Sequence, residues 1–157
     1  MPRVLLLLPT ATYRASDFLA ASRALDAEAV VASERRQAMS ATIGDRALVV
    51  DLRRPEAAAE TIVARAKDKP LDAVVGVDEQ GVLVAALAAA RLGLAHNPPE
   101  AVAATRDKTA MRGAFAAAGL RQPDYRVAGP TRTWRSSPAR SAFPAWSRPF
   151  RCRRAAA

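Results

Sequence analysis

Residues 71–126, LDAVVGVDEQGVLVAALAAARLGLAHNPPEAVAATRDKTAMRGAFAAAGLRQPDYR, decide the fold. Leu71 to Val77 is a mostly apolar run after Pro70, the pattern of a strand buried in a parallel sheet. An Ala-rich segment from about Gln80 to Leu92 predicts a helix whose small side chains let it lie close on that sheet, with Gly93 as its stop. A short crossing carries His96, Asn97 and Pro98, and Asn97-Pro98-Pro99 reads as a turn. A second helix opens on Asp107-Lys108, runs to Ala118 and ends on Gly119 at C′, with Thr105 as its expected N-cap.

Upstream, the same alternation repeats. Val4–Leu8 is a continuous apolar run, predicted as the first strand, and Thr10–Ser16 is a polar loop after it. Ser16 and Asp17 are expected to cap a helix with Phe18, Ala21 and Leu25 on its buried stripe. Ala29–Ala32 is a short strand candidate, Ser33–Arg46 a polar connection broken at Gly44, and Ala47–Leu52 a third strand. Pro55 suits the first turn of a helix whose buried face continues through Ile62, Val63 and Ala66, and Pro70 ends it. Strands alternating with helices predict an α/β fold: a small, Rossmann-like, doubly wound parallel sheet over residues 1–127.

Charge divides unevenly along the chain. The formal net charge is +9, but residues 1–129 hold 17 basic and 15 acidic side chains, whereas 130–157 hold seven Arg and no acid. The basic balance therefore belongs to the tail and makes no nucleic-acid argument for the domain. Residues 128–157, with both tryptophans and no regular period, read as a disordered C-terminal tail. Cys152 has no partner for an internal disulfide, which suits a reducing, cytoplasmic setting. The five apolar residues after Arg3 are too few for a membrane span.

Three spaced motifs carry a resemblance over about residues 1–127. They are Asp72-x-Val74-x-x-x-Asp78-Glu79; then Leu92-Gly93-Leu94-x-x-Asn97-x-x-Glu100-Ala101-Val102; then Asp107-Lys108-x-x-Met111-Arg112 leading to Ala118-Gly119-x-x-x-Pro123. This order resembles the pre-ATP-grasp domain at the entry to ATP-grasp ligases of the biotin carboxylase and carboxylate-amine ligase type. The resemblance implies an acyl-phosphate ligase that uses ATP and Mg2+ with small carboxylate and amine substrates. It implies that Lys108 contacts ATP phosphates. It makes Asp78 and Glu79 candidates for substrate or interdomain contacts, while Thr10 and Thr12 are candidates for meeting a carboxylate or phosphate at the end of the first strand. The second phosphate lysine, the covering loop and the metal carboxylates would lie downstream, so no catalytic residue, no metal ligand and no tight ATP or Mg2+ binding are expected here.

The abrupt loss of acids after Pro130 also suggests that the tail is an out-of-frame reading of the next lobe. His96, the one histidine, lacks partners at ligand spacing and makes a weak metal candidate. No GxGxxG or P-loop signature is present. The rival reading is an α/β module for a small ligand, or for single-stranded nucleic acid held by the tail's arginines and tryptophans. If the folded part ends near residue 127, limited trypsin digestion removes the arginine-rich tail and leaves a resistant fragment of about residues 1–127. A tail as resistant as the domain would refute this division.

Overall fold

Leu5, Leu6, Leu7 and Leu8 are each at most 3% exposed. Successive side chains of a strand face opposite sides, so such a run needs cover on both faces. The computed structural model, which describes residues 1–35, 46–125 and 127, supplies that cover. Its elements are β1 (Arg3–Leu7), α1 (Ala15–Ala24), β2 (Glu28–Ser33), β3 (Ala47–Val49), α2 (Pro55–Asp68), β4 (Ala73–Gly76), α3 (Val82–Leu92), α4 (Pro99–Arg106) and α5 (Lys108–Ala117). The sheet has the order β3-β2-β1-β4, and every pairing is parallel. Leu5, Leu7, Val30 and Ala32 face one layer with Ile62 of α2 and Val84 of α3. Leu6, Leu8 and Val31 face the other, against Ala15, Phe18 and Leu19 of α1. The sheet is doubly wound, as the alternation predicts.

The chain divides into two units, Met1–Gln122 and Pro123–Ala157. All nine elements belong to the first. Most of the predicted tail, with its out-of-frame reading, lies outside the described residues, and so do Gly44 and most of the Ser33–Arg46 connection.

Helix ends follow recognisable rules. Gly93 and Gly119 adopt φ +68° and +67°. Beyond α3, the Leu94 N–H reaches the Ala89 carbonyl at 2.9 Å; beyond α5, the Leu120 N–H reaches the Phe115 carbonyl at 2.9 Å. These six-to-one closures are Schellman motifs, which glycine permits because it has no Cβ to clash in the left-handed region. Pro55 stands at the start of α2, and Lys69, the residue before Pro70, is extended at φ −137°, ψ 102°.

Three local expectations need correction. α1 begins at Ala15, not after Ser16 or Asp17, because the Asp17 and Phe18 N–H groups already bond the Arg14 carbonyl; no side chain caps it. Its inward stripe is half-buried Ala15, Phe18 and Leu19 with buried Ser22, while Ala21 is exposed and Leu25 is 75% exposed. Ser22 tolerates burial because its hydroxyl donates to the Phe18 carbonyl at 2.9 Å. Thr105 is not the cap of α5: its hydroxyl donates back to the Val102 carbonyl at 2.8 Å, inside α4, which starts at the Pro98-Pro99 pair. The segment expected as a turn at Asn97-Pro98-Pro99 thus also opens a helix, since proline at N1 sacrifices no hydrogen bond.

At the N-terminal edge of the sheet, Arg3 draws three segments together. Its Nη1 donates to the Lys69 carbonyl at 2.7 Å, its Nε lies 3.5 Å from Glu28 Oε2, and its backbone N–H donates to Asp72 Oδ2 at 2.6 Å. At the opposite edge, two glycines let α3 settle onto the strands. A Cβ on Gly76 would lie 2.7 Å from the Val82 Cα, and one on Gly81 would lie 3.0 Å from the Leu7 Cβ. The obstacle at Gly76 is backbone, which cannot rotate away. Gly76→Ala is therefore expected to destabilise the domain by ~1–3 kcal/mol, the usual range for overpacking, seen as a lower urea midpoint. An unchanged midpoint would show that α3 shifts freely.

Candidate functional site

In a doubly wound sheet the crossovers diverge to either side of one point, and the loops at the strands' carboxyl ends leave a crevice there. In the order β3-β2-β1-β4 that point lies between β1 and β4. The Val77 N–H still bonds the Leu7 carbonyl at 3.2 Å, so the two strands leave the sheet side by side. Thr10 and Thr12 follow β1; Asp78 and Glu79 follow β4. The topology thus brings these four candidates to one edge from neighbouring strands.

Each is held differently. The Thr10 N–H and hydroxyl both donate to Glu34 Oε2, each at 2.9 Å. The Thr12 N–H donates to the Pro9 carbonyl at 2.9 Å, and its Oγ1 accepts the Arg14 N–H at 3.4 Å. The half-buried Asp78 accepts the Gln80 N–H on Oδ1 at 3.2 Å, and its carbonyl accepts the Gly81 N–H at 3.0 Å. Asp78 therefore shapes the turn that leads into α3 without capping the helix itself, whose N-cap position Gly81 has no side chain to offer. Glu79 is exposed.

Glu34 is the residue that sequence reasoning missed. Burial raises its pKa, but the N–H of Thr10, its own N–H, the Thr10 hydroxyl and the charge of Arg35 together outweigh burial and hold it below the ordinary 4.5. Its signal in the sequence was an acid directly after an apolar strand, where a parallel sheet places ligand-facing loops.

Lys108 lies on neither of these two loops but on α5. It is the first residue of α5, is exposed, and follows Asp107, whose Oδ1 accepts the Thr109 and Ala110 N–H groups at 2.8 and 3.2 Å. α5 packs on α4, and α4 on α3. The cap already occupies two of the amides that would otherwise attract an anion, leaving the ammonium as the cationic feature of this helix start.

His96 is exposed, with Nδ1 2.8 Å from the Leu94 carbonyl. It borders a groove of about 290 Å3 along β4, walled by Val74, Gly76, Ala85 and Ala89. Among the described residues no group of three or more His, Cys, Asp or Glu could hold a metal ion. Among them too, no helix is long and apolar enough to cross a membrane.

Because Asp107 is exposed and its carboxylate bonds the first turn of its own helix, Asp107→Ala is expected to cost ~1 kcal/mol, within the range for a lost N-cap. Hydrogen exchange at Thr109 and Ala110 then rises about fivefold while β1 amides stay protected. Unchanged exchange would mean that the cap contributes nothing.

Comparison with known proteins gives this arrangement a family. Residues 19–96 match the family model of the ATP-grasp N-terminal domain. No curated protein sequence matches the chain. Among solved structures, L-amino acid ligase from Bacillus licheniformis aligns with TM-score 0.63 and 16% identity, over 78% of this chain and 32% of that one. Phosphoribosylglycinamide synthetase from Anaerococcus prevotii aligns with TM-score 0.59 and 19% identity, over 75% of this chain and 29% of that one. The chain spans about a third of the length of these structures. The matched stretch runs from within α1 through the turn after α3 and so includes the β4 side of the crevice; this part of the chain is an ATP-grasp N-terminal domain.

Proposed function

We propose that this domain serves an ATP-dependent carboxylate-amine ligase that works through an acyl phosphate, with Lys108 as a contact for ATP phosphates. The observation that carries the reading is the state of Lys108. An exposed ammonium opens a helix whose cap is already formed, so a phosphate can approach it without rebuilding the backbone. A lysine suits this task as a compact point charge. In the same reading, Thr10, Thr12, Asp78 and Glu79 at the crevice meet a small carboxylate or amine substrate, or the lobes that complete the enzyme. One of the similar structures is named an L-amino acid ligase, which favours an amino acid among those substrates. ATP and Mg2+ belong to the completed enzyme, whose setting is the cytoplasm. The chain alone is proposed to be inactive, because a single lysine meets a ligand that two lobes would otherwise enclose.

The affinity of the isolated site is bounded by simple electrostatics. One ion pair in water is worth ~1 kcal/mol, whereas a 1 mM Kd already requires ~4 kcal/mol. Titrating the full chain with MgATP is therefore expected to give fast-exchange NMR shifts at residues 107–110 that do not saturate below about 1 mM and vanish in Lys108→Ala. Saturation at micromolar ATP would show a far more complete site. Shifts confined to the arginine-rich tail, unchanged in Lys108→Ala, would instead favour the anion- or nucleic-acid-binding reading.

A further inference from the structure

The loop after β1 is fastened by a residue from outside it. Both polar hydrogens of Thr10 converge on one oxygen, Glu34 Oε2, at 2.9 Å, joining the first residues beyond β1 to the first beyond β2. We propose that Glu34 is a carboxylate latch that holds the β1–α1 loop, residues 8–14, in one position at the crevice.

Among the described residues, the loop's other polar bonds are short-range. They run from the Thr12 N–H to the Pro9 carbonyl, from the Arg14 N–H to Thr12 Oγ1, and from the Asp17 and Phe18 N–H groups of α1 to the Arg14 carbonyl, and none spans more than four residues. Leu8 is anchored by its N–H on the Ala32 carbonyl at 2.9 Å, so the ladder between β1 and β2 ends two residues before Thr10. Beyond that point the carboxylate takes the place of the ladder. Two bonds to one ionised oxygen are stronger than two to a neutral amide, and they occupy every hydrogen that Thr10 could offer a ligand. A ligand that accepts a hydrogen bond from Thr10 must displace Glu34, which makes the latch releasable.

The latch depends on charge. Arg35, beside Glu34 at the end of β2, is the charged neighbour that favours ionisation, while Thr10 brings only neutral donors from the loop. Since the folded pKa is depressed, the latch's contribution is fully present above the ordinary 4.5 and is lost as pH falls through the lower folded value. The inference concerns the loop and holds whether or not the proposed ligase reading is right.

Amide-resolved NMR on the full chain tests it. In the wild type, the Thr10 amide resonance is expected to move with a midpoint below 4.5, and this step is expected to be absent in Glu34→Gln. In Glu34→Ala, exchange of the amides at 10–14 is expected to rise about tenfold, the scale of losing a hydrogen bond to a charged group, while Leu5 to Leu7 keep their protection. The proposal is overturned if the Thr10 titration is the same in Glu34→Gln, or if exchange at 10–14 is unaltered in Glu34→Ala. Loss of protection across β1 in that variant would also overturn it, because the carboxylate would then be supporting the sheet and not the loop.

Discussion

The burial of β1 on both faces is the constraint from which the rest of the domain follows. Four consecutive leucines cannot be shielded by one layer, since alternate side chains point in opposite directions. Each is worth roughly 1.5–3 kcal/mol once removed from water, so leaving either face open forfeits two of the four. The chain meets this demand by placing β2 and β4 on either flank and passing helices over both sides. The two directions of crossover then part at the centre of the sheet. The crevice is thus a consequence of how the core is covered.

The two ends of the sheet are finished by different chemistry. The N-terminal edge is tied by Arg3, whose backbone and guanidinium reach Asp72, Lys69 and Glu28 from one position. The C-terminal edge is kept close-packed yet open through small residues, with Gly76 and Gly81 letting α3 start against Leu7 and β4. That approach fixes the Asp78 turn beside the end of β1, while Glu34 fixes the neighbouring loop from the other side. Open parallel sheets in general keep their ligand-facing loops at the second of these edges.

α4 and α5 have a different standing. Neither has a fully buried residue, and α5 carries Phe115 at 37% exposure with Leu120 at 55% just beyond its end. Their form depends on local devices: proline at the start of α4, Asp107 at the start of α5, and Gly119 at its end. Gln122 adds a return contact, donating to the Arg112 carbonyl at 3.1 Å. Lys108 is accordingly positioned by capping chemistry and not by the core.

What the sequence determined by itself was everything governed by short-range rules. The apolar run at residues 4–8, the proline at 55, the glycines at 93 and 119 and the alternation of strands with helices were enough to specify an α/β sheet wound on both sides, and the spaced motifs around Asp78, Asn97 and Lys108 were enough to indicate the family. One local signal misled: Thr105 has the side chain of a good cap, but the break between α4 and α5 leaves it inside α4 and makes the Asp107 carboxylate the cap of α5. Leu25 fitted a helical stripe until the position of α1 on the sheet turned Ser22 inward in its place. The strand order, the closeness of Thr10 to Glu34 across 24 residues, and the ties of Arg3 across up to 69 were decided only by the tertiary structure. The reason is physical: periodicity and capping act within a turn or two of chain, whereas which strand lies beside which is settled by the joint burial of faces far apart in sequence.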